Sequence, residues 1–397
     1  MGIFLDSVPL SAIVKIRDMM YTVKDPFRLD QGDVSFDAPD TFKNAVGKAL
    51  DANHTHYLPT AGLPRLRQLL MEKMQAKNGI PVGSADEVQV TNGGTHAIYA
   101  AMHAVLDPGD EVIVPDPEWP PTMAIVTAAR GVPVPVALHE GLGWRWDLDE
   151  LERAITPKTK ALYINSPNNP AGGILTRADL ERLASIARER NLLVFSDEAY
   201  EDIVFDGEHV SIASLPGMYE RTIPLYTFSK TYAVTGVRVG YYAIQDPVLR
   251  ARALKVVLYT TSNVNSLAQY GAIGALEGSQ ACIEEYRREL KLRRDLFYEG
   301  VKDAAPGILS GTPPPGAFYA FLRINPQWVK DAGLPGQSLS WAMAEHLIKG
   351  ARIGCVPGVD FGAAAEGYLR FCTCRSREEL TGALASMKSL LAAARVH

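Results

Sequence analysis

The chain is poor in cysteine, with four in 397 residues. Cys282, Cys355, Cys372 and Cys374 show no CxxC spacing and no histidines at zinc-ligand distances, which excludes a disulfide scaffold and a zinc site and fits a reducing cytoplasm. Basic runs are absent beyond the Arg287-Arg288 and Arg293-Arg294 pairs, and the net charge is −5, so no nucleic-acid surface is expected. The longest uncharged stretch, Val256 to Leu276, is broken by Asn263, Asn265, Ser266 and Gln269 and predicts no membrane span. Asp6 precedes any long apolar stretch, which argues against a signal peptide, and it also occupies the place a myristoylation motif gives to Ser or Thr. Neither GxGxxG nor a GKS or GKT phosphate loop occurs. Repeats and low-complexity tracts are missing too.

What is present is an ordinary globular composition on a long chain. With 47% hydrophobic residues, 397 residues exceed what one core serves, so two domains are expected. From about Thr41 to Glu289, apolar β-prone runs alternate with amphipathic helical patterns, such as Arg177 to Arg190 with Leu180, Leu183, Ala184 and Ala187 on one face. That alternation predicts an α/β unit with a largely parallel sheet covered on both sides. A long helix around Ile283 to Lys302 follows. Then the pattern changes to strand Phe318 to Ile324, helix Leu339 to Lys349, strand Tyr368 to Thr373 and a terminal helix. Ser376 and Glu379 are spaced as a capping box for that helix, and this second unit reads as α+β.

The chemistry gathers where predicted strands end, the usual place for ligands in open α/β sheets. Lys230 follows the apolar run Thr222 to Phe228, with Thr227 and Ser229 before it and Arg238 eight residues beyond. An amine, hydroxyls and a guanidinium in this order suit a phosphorylated aldehyde held covalently: the amine condenses with the aldehyde, and the other groups hold the phosphate. Pyridoxal phosphate is such a molecule. Its ring nitrogen needs a carboxylate at low dielectric, and Asp197, closing the run Leu192 to Ser196, is the candidate, although an acidic residue there also caps helices. Tyr200, three residues on, is placed to donate to the ring's phenolic oxygen. Asn169, in the turn Asn165 to Gly173, is a second donor. Thr91 to His96 forms a glycine turn opening a helix with Ile98, Ala101, Met102 and Val105 on one face, a place where an anion meets free N–H groups. Trp119, between Pro117 and Pro120, could stack on a ring. Arg370 interrupts the apolar run Tyr368 to Cys374, where a charge needs a partner; a substrate carboxylate or a structural ion pair would serve equally.

In order, LDQGD, HYLPTAGLPRLR, TNGGTHAI, PEWPP, NSPNNPAGG, SDEAYEDIVFDG, TFSKTYAVTGVRVGY, PPPGAFY, VPGVDFG and YLRFCTC resemble the aspartate aminotransferase superfamily, the class I and II aminotransferases of the type I pyridoxal phosphate fold. The resemblance spans nearly the whole chain. It implies a large cofactor-binding domain over 41–289, with a mainly parallel seven-stranded sheet between helices, and a small domain made of 1–40 with 290–397. It implies pyridoxal 5'-phosphate as cofactor, with Lys230 as the Schiff-base lysine and proton carrier, Asp197 on the ring nitrogen, and Tyr200 and Asn169 on the ring oxygen. Gly94, Thr95, Thr227 and Arg238 would hold the phosphate, joined by Tyr57 from the neighbouring subunit of a homodimer. Arg370 would take the substrate carboxylate beside Gly32. The implied reaction moves the amino group of an L-amino acid to a 2-oxo acid in a ping-pong cycle. Sibling enzymes, a C–S β-lyase, a cyclopropane-forming synthase or an amino-acid oxidase, keep the same lysine, aspartate and arginine. A DNA-binding regulator is disfavoured, because only some 40 residues precede the large-domain pattern. A dicarboxylate substrate would need a second cation, for which Lys15, Arg17 and Arg28 are the candidates; aromatic and aliphatic substrates are equally allowed.

Overall fold

The computed structural model describes residues 4–8, 10–336 and 338–393. Its larger sheet comprises β1 (Val88–Thr91), β2 (Glu111–Asp116), β3 (Val132–His139), β4 (Arg145–Trp146), β5 (Thr159–Asn165), β6 (Leu193–Asp197), β7 (Thr222–Thr227) and β8 (Gly240–Ala243), in the order β1-β8-β7-β6-β5-β2-β3-β4. The central pairs β3/β2, β2/β5, β5/β6 and β6/β7 are parallel, while β8 runs antiparallel to both its neighbours. The expected seven strands are joined by the two-residue β4, which pairs antiparallel with β3 and is too short to leave a periodic signal.

Parallel strands need cover on both faces, and their alternation supplies it. Tyr163 of β5 and Phe195 of β6 pack on one side with Ala97, Ala101, Met102 and Val105 of the helix Gly94–Val105. Leu162, Ile164 and Val194 pack on the other with Leu180, Leu183, Ile186 and Ala187 of the helix Arg177–Glu189. That second helix starts on a complete capping box between Thr176 and Asp179. Truncating one of these fully buried leucines to alanine costs about 2–5 kcal/mol, because the sheet cannot close onto the void. The strand-helix alternation begins later than read from the sequence: residues 41–80 supply the helices Asp40–Asp51 and Pro64–Ala76 before β1 opens the sheet.

The second sheet is antiparallel, with order β11-β12-β10-β9 from β9 (Leu309–Ser310), β10 (Tyr319–Ile324), β11 (Val356–Pro357) and β12 (Tyr368–Cys372). Residues of the helices Ala281–Ala304, Leu339–Ala351 and Arg377–Ala393 share its core, and Leu29 joins them. The first helix, Ala12–Tyr21, packs Ile16 and Met20 on Ile348. At the last helix the box is half formed. The Glu379 amide donates to Ser376 Oγ at 3.2 Å, but the Glu379 carboxylate accepts instead from the Arg28 amide at 2.7 Å and from Arg375 Nε at 2.9 Å. Tertiary partners outcompete the local cap there.

Candidate active site

Sheet register assembles the site. Asn165 of β5 lies beside Asp197 of β6, and Asp197 beside Leu225 of β7. The carboxyl ends of three strands thus carry Asn165, Asp197 and Thr227 to one edge, and Lys230 follows in the short helix Phe228–Thr231. A cavity of about 430 Å³ opens there. Gly32, Gly94, Thr95, Trp119, Asn169, Asp197, Tyr200, Thr227, Lys230, Arg238 and Arg370 all line it. Tyr57 does not line it and is 90% exposed on the surface, and the cation candidates Lys15, Arg17 and Arg28 do not line it either.

At the cavity floor the Asp197 carboxylate accepts from Tyr163 Oη at 2.7 Å and from the Ala199 amide at 3.0 Å. Burial pushes its pKa up to about 6 against those hydrogen bonds. Among the described residues no lysine, arginine or histidine forms an ion pair with it, so this buried carboxylate has neutral partners only. The aspartate both binds the next amide, as the capping reading expects, and faces the cavity.

Lys230 Nζ donates to the Gly32 carbonyl at 2.6 Å, and burial lowers its pKa. A proton is more easily removed from such an amine than from a solvated one. Gly32 tolerates no side chain: a Cβ would meet Tyr319 Oη at 2.7 Å. Tyr200 Oη shares a hydrogen bond with Tyr319 Oη at 2.6 Å and receives one from Asn169 Nδ2 at 3.5 Å. Burial raises the Tyr200 pKa, keeping the phenol a donor.

One wall is built for an anion. The helix Gly94–Val105 begins at Gly93 with no side-chain cap, leaving its first amides and positive dipole end open. Arg238, in the left-handed backbone region at φ 63°, lays its guanidinium against Gly93, where a Cβ would collide with it. Arg238 Nη1 is steadied by the Thr235 carbonyl at 2.8 Å, and the Thr227 side chain lies against Gly94.

At the opposite chemical pole, Arg370 is buried on β12 without a carboxylate partner. Its Nη2 donates to the Asp30 carbonyl at 2.7 Å and its Nη1 to Asn169 Oδ1 at 3.2 Å, while Tyr319 and Phe361 rings lie 4.9 Å from the guanidinium carbon. Among the described residues Nε has no hydrogen-bond partner. The structural ion pair that the sequence allowed is therefore absent among the described residues.

Sequence reading missed Tyr163, Glu118, Tyr319 and Ile13. Tyr163 is hidden in an apolar strand, where it reads as packing. Glu118 is fully buried, accepts from Asn168 Nδ2 at 3.3 Å, and has its pKa pushed far above the usual carboxyl range by burial and by Asp197. Tyr319 sits within the quoted PPPGAFY segment, where the tyrosine at a strand start was its available signal. Ile13 carries none.

A family model for "Aminotransferase class I and II" matches residues 24–387. An aromatic-amino-acid aminotransferase of Thermococcus litoralis is 38% identical over 390 residues, covering 98% of this chain and 97% of its own. An aspartate/prephenate aminotransferase of Thermus thermophilus is 38% identical over 361 residues, covering 90% and 88%. The structure of the Thermus thermophilus aspartate aminotransferase with maleate superposes with a TM-score of 0.89 at 35% identity, covering 98% and 99%. The fold and the site define a type I pyridoxal-phosphate enzyme. The chain belongs to the class I and II aminotransferases, and it is a pyridoxal-phosphate-dependent aminotransferase. Its residues fit the cofactor: a buried carboxylate lacking a cation, an amine, and an uncapped helix start beside a guanidinium line one cavity of suitable size.

Proposed function

We propose that this enzyme transfers the amino group of an L-amino acid to a 2-oxo acid in a ping-pong cycle centred on Lys230. The observation that carries the reading is the coexistence, in one cavity, of a buried amine, a buried carboxylate without a cation and a buried guanidinium without an anion. When bound, pyridoxal phosphate supplies an electrophilic carbonyl and a protonated ring that stabilises negative charge at the amino acid's Cα. Lys230 serves as its covalent anchor.

The placement of these side chains in one cavity supports the following roles. Arg370 offers Nε and its Nη groups to the α-carboxylate, charge-assisted bonds of roughly 1.5–3 kcal/mol each. That contact would orient the Cα–H bond toward Lys230, whose amine is the base available to take up the proton. A base positioned in this way contributes on the order of 10²- to 10⁴-fold. Asp197 keeps the ring nitrogen protonated. Tyr200 and Asn169 would donate to the ring oxygen, Trp119 would stack on the ring, and Gly94, Thr95, Thr227 and Arg238 would hold the phosphate. Gly32, by remaining bare, leaves room for the Tyr319 hydroxyl that bonds Tyr200.

We further propose that 41–289 acts as the cofactor-binding domain and that 1–40 with 290–397 forms the smaller one; separate hydrophobic cores beneath the two sheets support this division. We also propose a homodimer, in the cytoplasm, in which Tyr57 reaches the partner's phosphate site; the exposure of Tyr57 in the single chain supports the dimer contact. Among the described residues no helix is long and apolar enough to cross a membrane. The reading is tested by mixing the cofactor-loaded protein with single amino acids and following the visible band as it gives way to that of the aminated cofactor, with 2-oxo acid released. Pyruvate and ammonia as products, or oxygen uptake, would replace transamination with elimination or oxidation.

A further inference from the structure

Tyr319 opens β10 opposite Cys372 of β12, which puts it on the same sheet face as Arg370, its diagonal neighbour two residues before Cys372. Its side chain lines the cavity and is only 2% exposed, so almost none of its surface is left for another subunit to touch. Its hydroxyl lies 2.6 Å from Tyr200 Oη, its ring stands edge-on to the Tyr200 ring at 78° with centroids 5.6 Å apart, and its centroid lies 4.9 Å from the Arg370 guanidinium carbon. The phenol thus touches the residues at both ends of the site, the one that faces the ring oxygen and the one that faces the carboxylate.

A phenol has one proton and two lone pairs, so two touching phenols must choose a donor. The surroundings make the choice. Arg370 Nη1 donates to Asn169 Oδ1 at 3.2 Å, which turns Asn169 Nδ2 toward Tyr200 Oη, 3.5 Å away. Tyr200 is therefore placed as an acceptor already. Among the described residues Tyr319 Oη has no hydrogen-bond partner other than Tyr200, so an O–H turned away from it would be buried with nothing to accept it. With Tyr319 donating, the proton of Tyr200 is left to the cavity, and the bond polarises the Tyr200 O–H, strengthening whatever donation lies beyond it. Burial raises the pKa of both phenols and keeps both protons in place, while the bond from Tyr319 acts on Tyr200 in the opposite sense. The other charged or titratable groups facing the pair are Asp197, Arg370 and Cys372, with Lys230 on the adjoining Gly32 carbonyl.

With Tyr200 as the ring-oxygen donor and Arg370 as the α-carboxylate site, we propose that Tyr319 is a positioning residue that joins the two: its hydroxyl commits the single proton of Tyr200 to the cofactor's ring oxygen, and its ring holds the Arg370 guanidinium to the substrate carboxylate. Negative charge on the ring oxygen helps to hold a proton on the nitrogen that links Lys230 to the cofactor, and a hydrogen bond to that oxygen loosens this hold. The test is an absorbance titration of the cofactor-loaded, full-length protein. Tyr319→Phe, which deletes one oxygen and keeps the ring, should move the midpoint at which the visible band changes upward by about 0.5 pH unit, a roughly threefold change in the proton's equilibrium. It should lower kcat by about 3- to 10-fold while KM stays within about twofold. In a Tyr200→Phe background the same substitution should shift the midpoint no further, because Tyr319 acts through Tyr200. A Tyr319→Phe midpoint within about 0.1 unit of the parent, or an equal shift in both backgrounds, overturns the inference and leaves the aminotransferase reading standing. A Tyr200→Phe midpoint equal to the parent's would overturn Tyr200 as the ring-oxygen donor and the inference with it. Tyr319→Leu, which removes the ring as well, should also raise KM by about 5-fold or more, and an unchanged KM in the folded variant would remove the ring from its role at Arg370. The Tyr319→Phe titration decides the hydroxyl's role whether or not Tyr319→Leu folds.

Discussion

Two carboxylates stand side by side at the end of β6, and their surroundings could hardly differ more. Glu198 Oε1 accepts from Ser196 Oγ at 3.0 Å and Ser211 Oγ at 2.6 Å, and its Oε2 from Tyr226 Oη at 2.8 Å and His209 Nε2 at 3.0 Å. Asp197, one residue earlier, has one phenol, one amide and a cavity. Both are buried. Burial costs a carboxylate its hydration, and Glu198 recovers this through four protein donors, whereas Asp197 recovers only part and has its pKa raised to about 6. Successive strand residues face opposite ways, so one carboxylate serves the protein interior and its neighbour serves a ligand. The lesson is that a functional acid is distinguished by what it lacks.

That contrast can be broken at several depths. The largest effect belongs to the lysine that shares the cavity with Asp197: Lys230→Ala should lower transamination by at least about 10⁴-fold and abolish the visible band of covalently held cofactor, read by absorbance of the purified variant. Next comes Asp197→Asn, which should reduce turnover by about 10³-fold, with cofactor still bound.

The same variant has an opposite signature in the cofactor-free protein. The folded pKa of Asp197 is raised, so the folded state binds its proton more tightly than the unfolded chain does. Its destabilising contribution is therefore absent below about pH 4, grows between there and pH 6, and is complete above, reaching about 3 kcal/mol. Cofactor-free Asp197→Asn should accordingly be more stable than the parent at pH 7.5 and nearly equal at pH 4, in urea denaturation. Equal stabilities at both pH values would sink the claim that Asp197 is a carboxylate in want of a cation.

Arg370→Leu is expected to raise the KM for amino acids by about 10²- to 10³-fold, the loss of two charge-assisted bonds, with the absorbance of bound cofactor unchanged. The smallest catalytic effect is predicted on the Glu198 side. Ser211→Ala should lower stability by about 1–2 kcal/mol while kcat stays within roughly threefold, since Ser211 bonds Glu198 and does not line the cavity. A larger drop in kcat would show that the two carboxylates act as one unit.

How much of this could be read from the chain depends on whether a signal is local. Lys230, Asp197 and Asn169 each follow an apolar strand-like run, and that break in pattern made them visible; Arg370 was visible as a charge inside such a run. Their grouping in one cavity required β5, β6 and β7 to be adjacent, which alternation implied and register delivered. Contacts across hundreds of residues left no trace in sequence: Gly32 accepts from Lys230, and Asp30 from Arg370, because the N-terminal segment folds back onto both sheets. Tyr319 and Ile13 enter the site the same way. The Ser376 capping box failed for a related reason, Glu379 being drawn to the Arg28 amide. Tyr57 reads as a site residue through resemblance alone, and a single chain leaves it on the surface.

The empty place on Gly93 makes the anion wall vulnerable to a very small lesion. Adding one methyl there would drive the Arg238 guanidinium aside and strain a turn at φ 78°, blunting the grip on a phosphate without deleting a single polar group. If this wall holds the phosphate as proposed, affinity for the cofactor hangs on a hydrogen atom's worth of space.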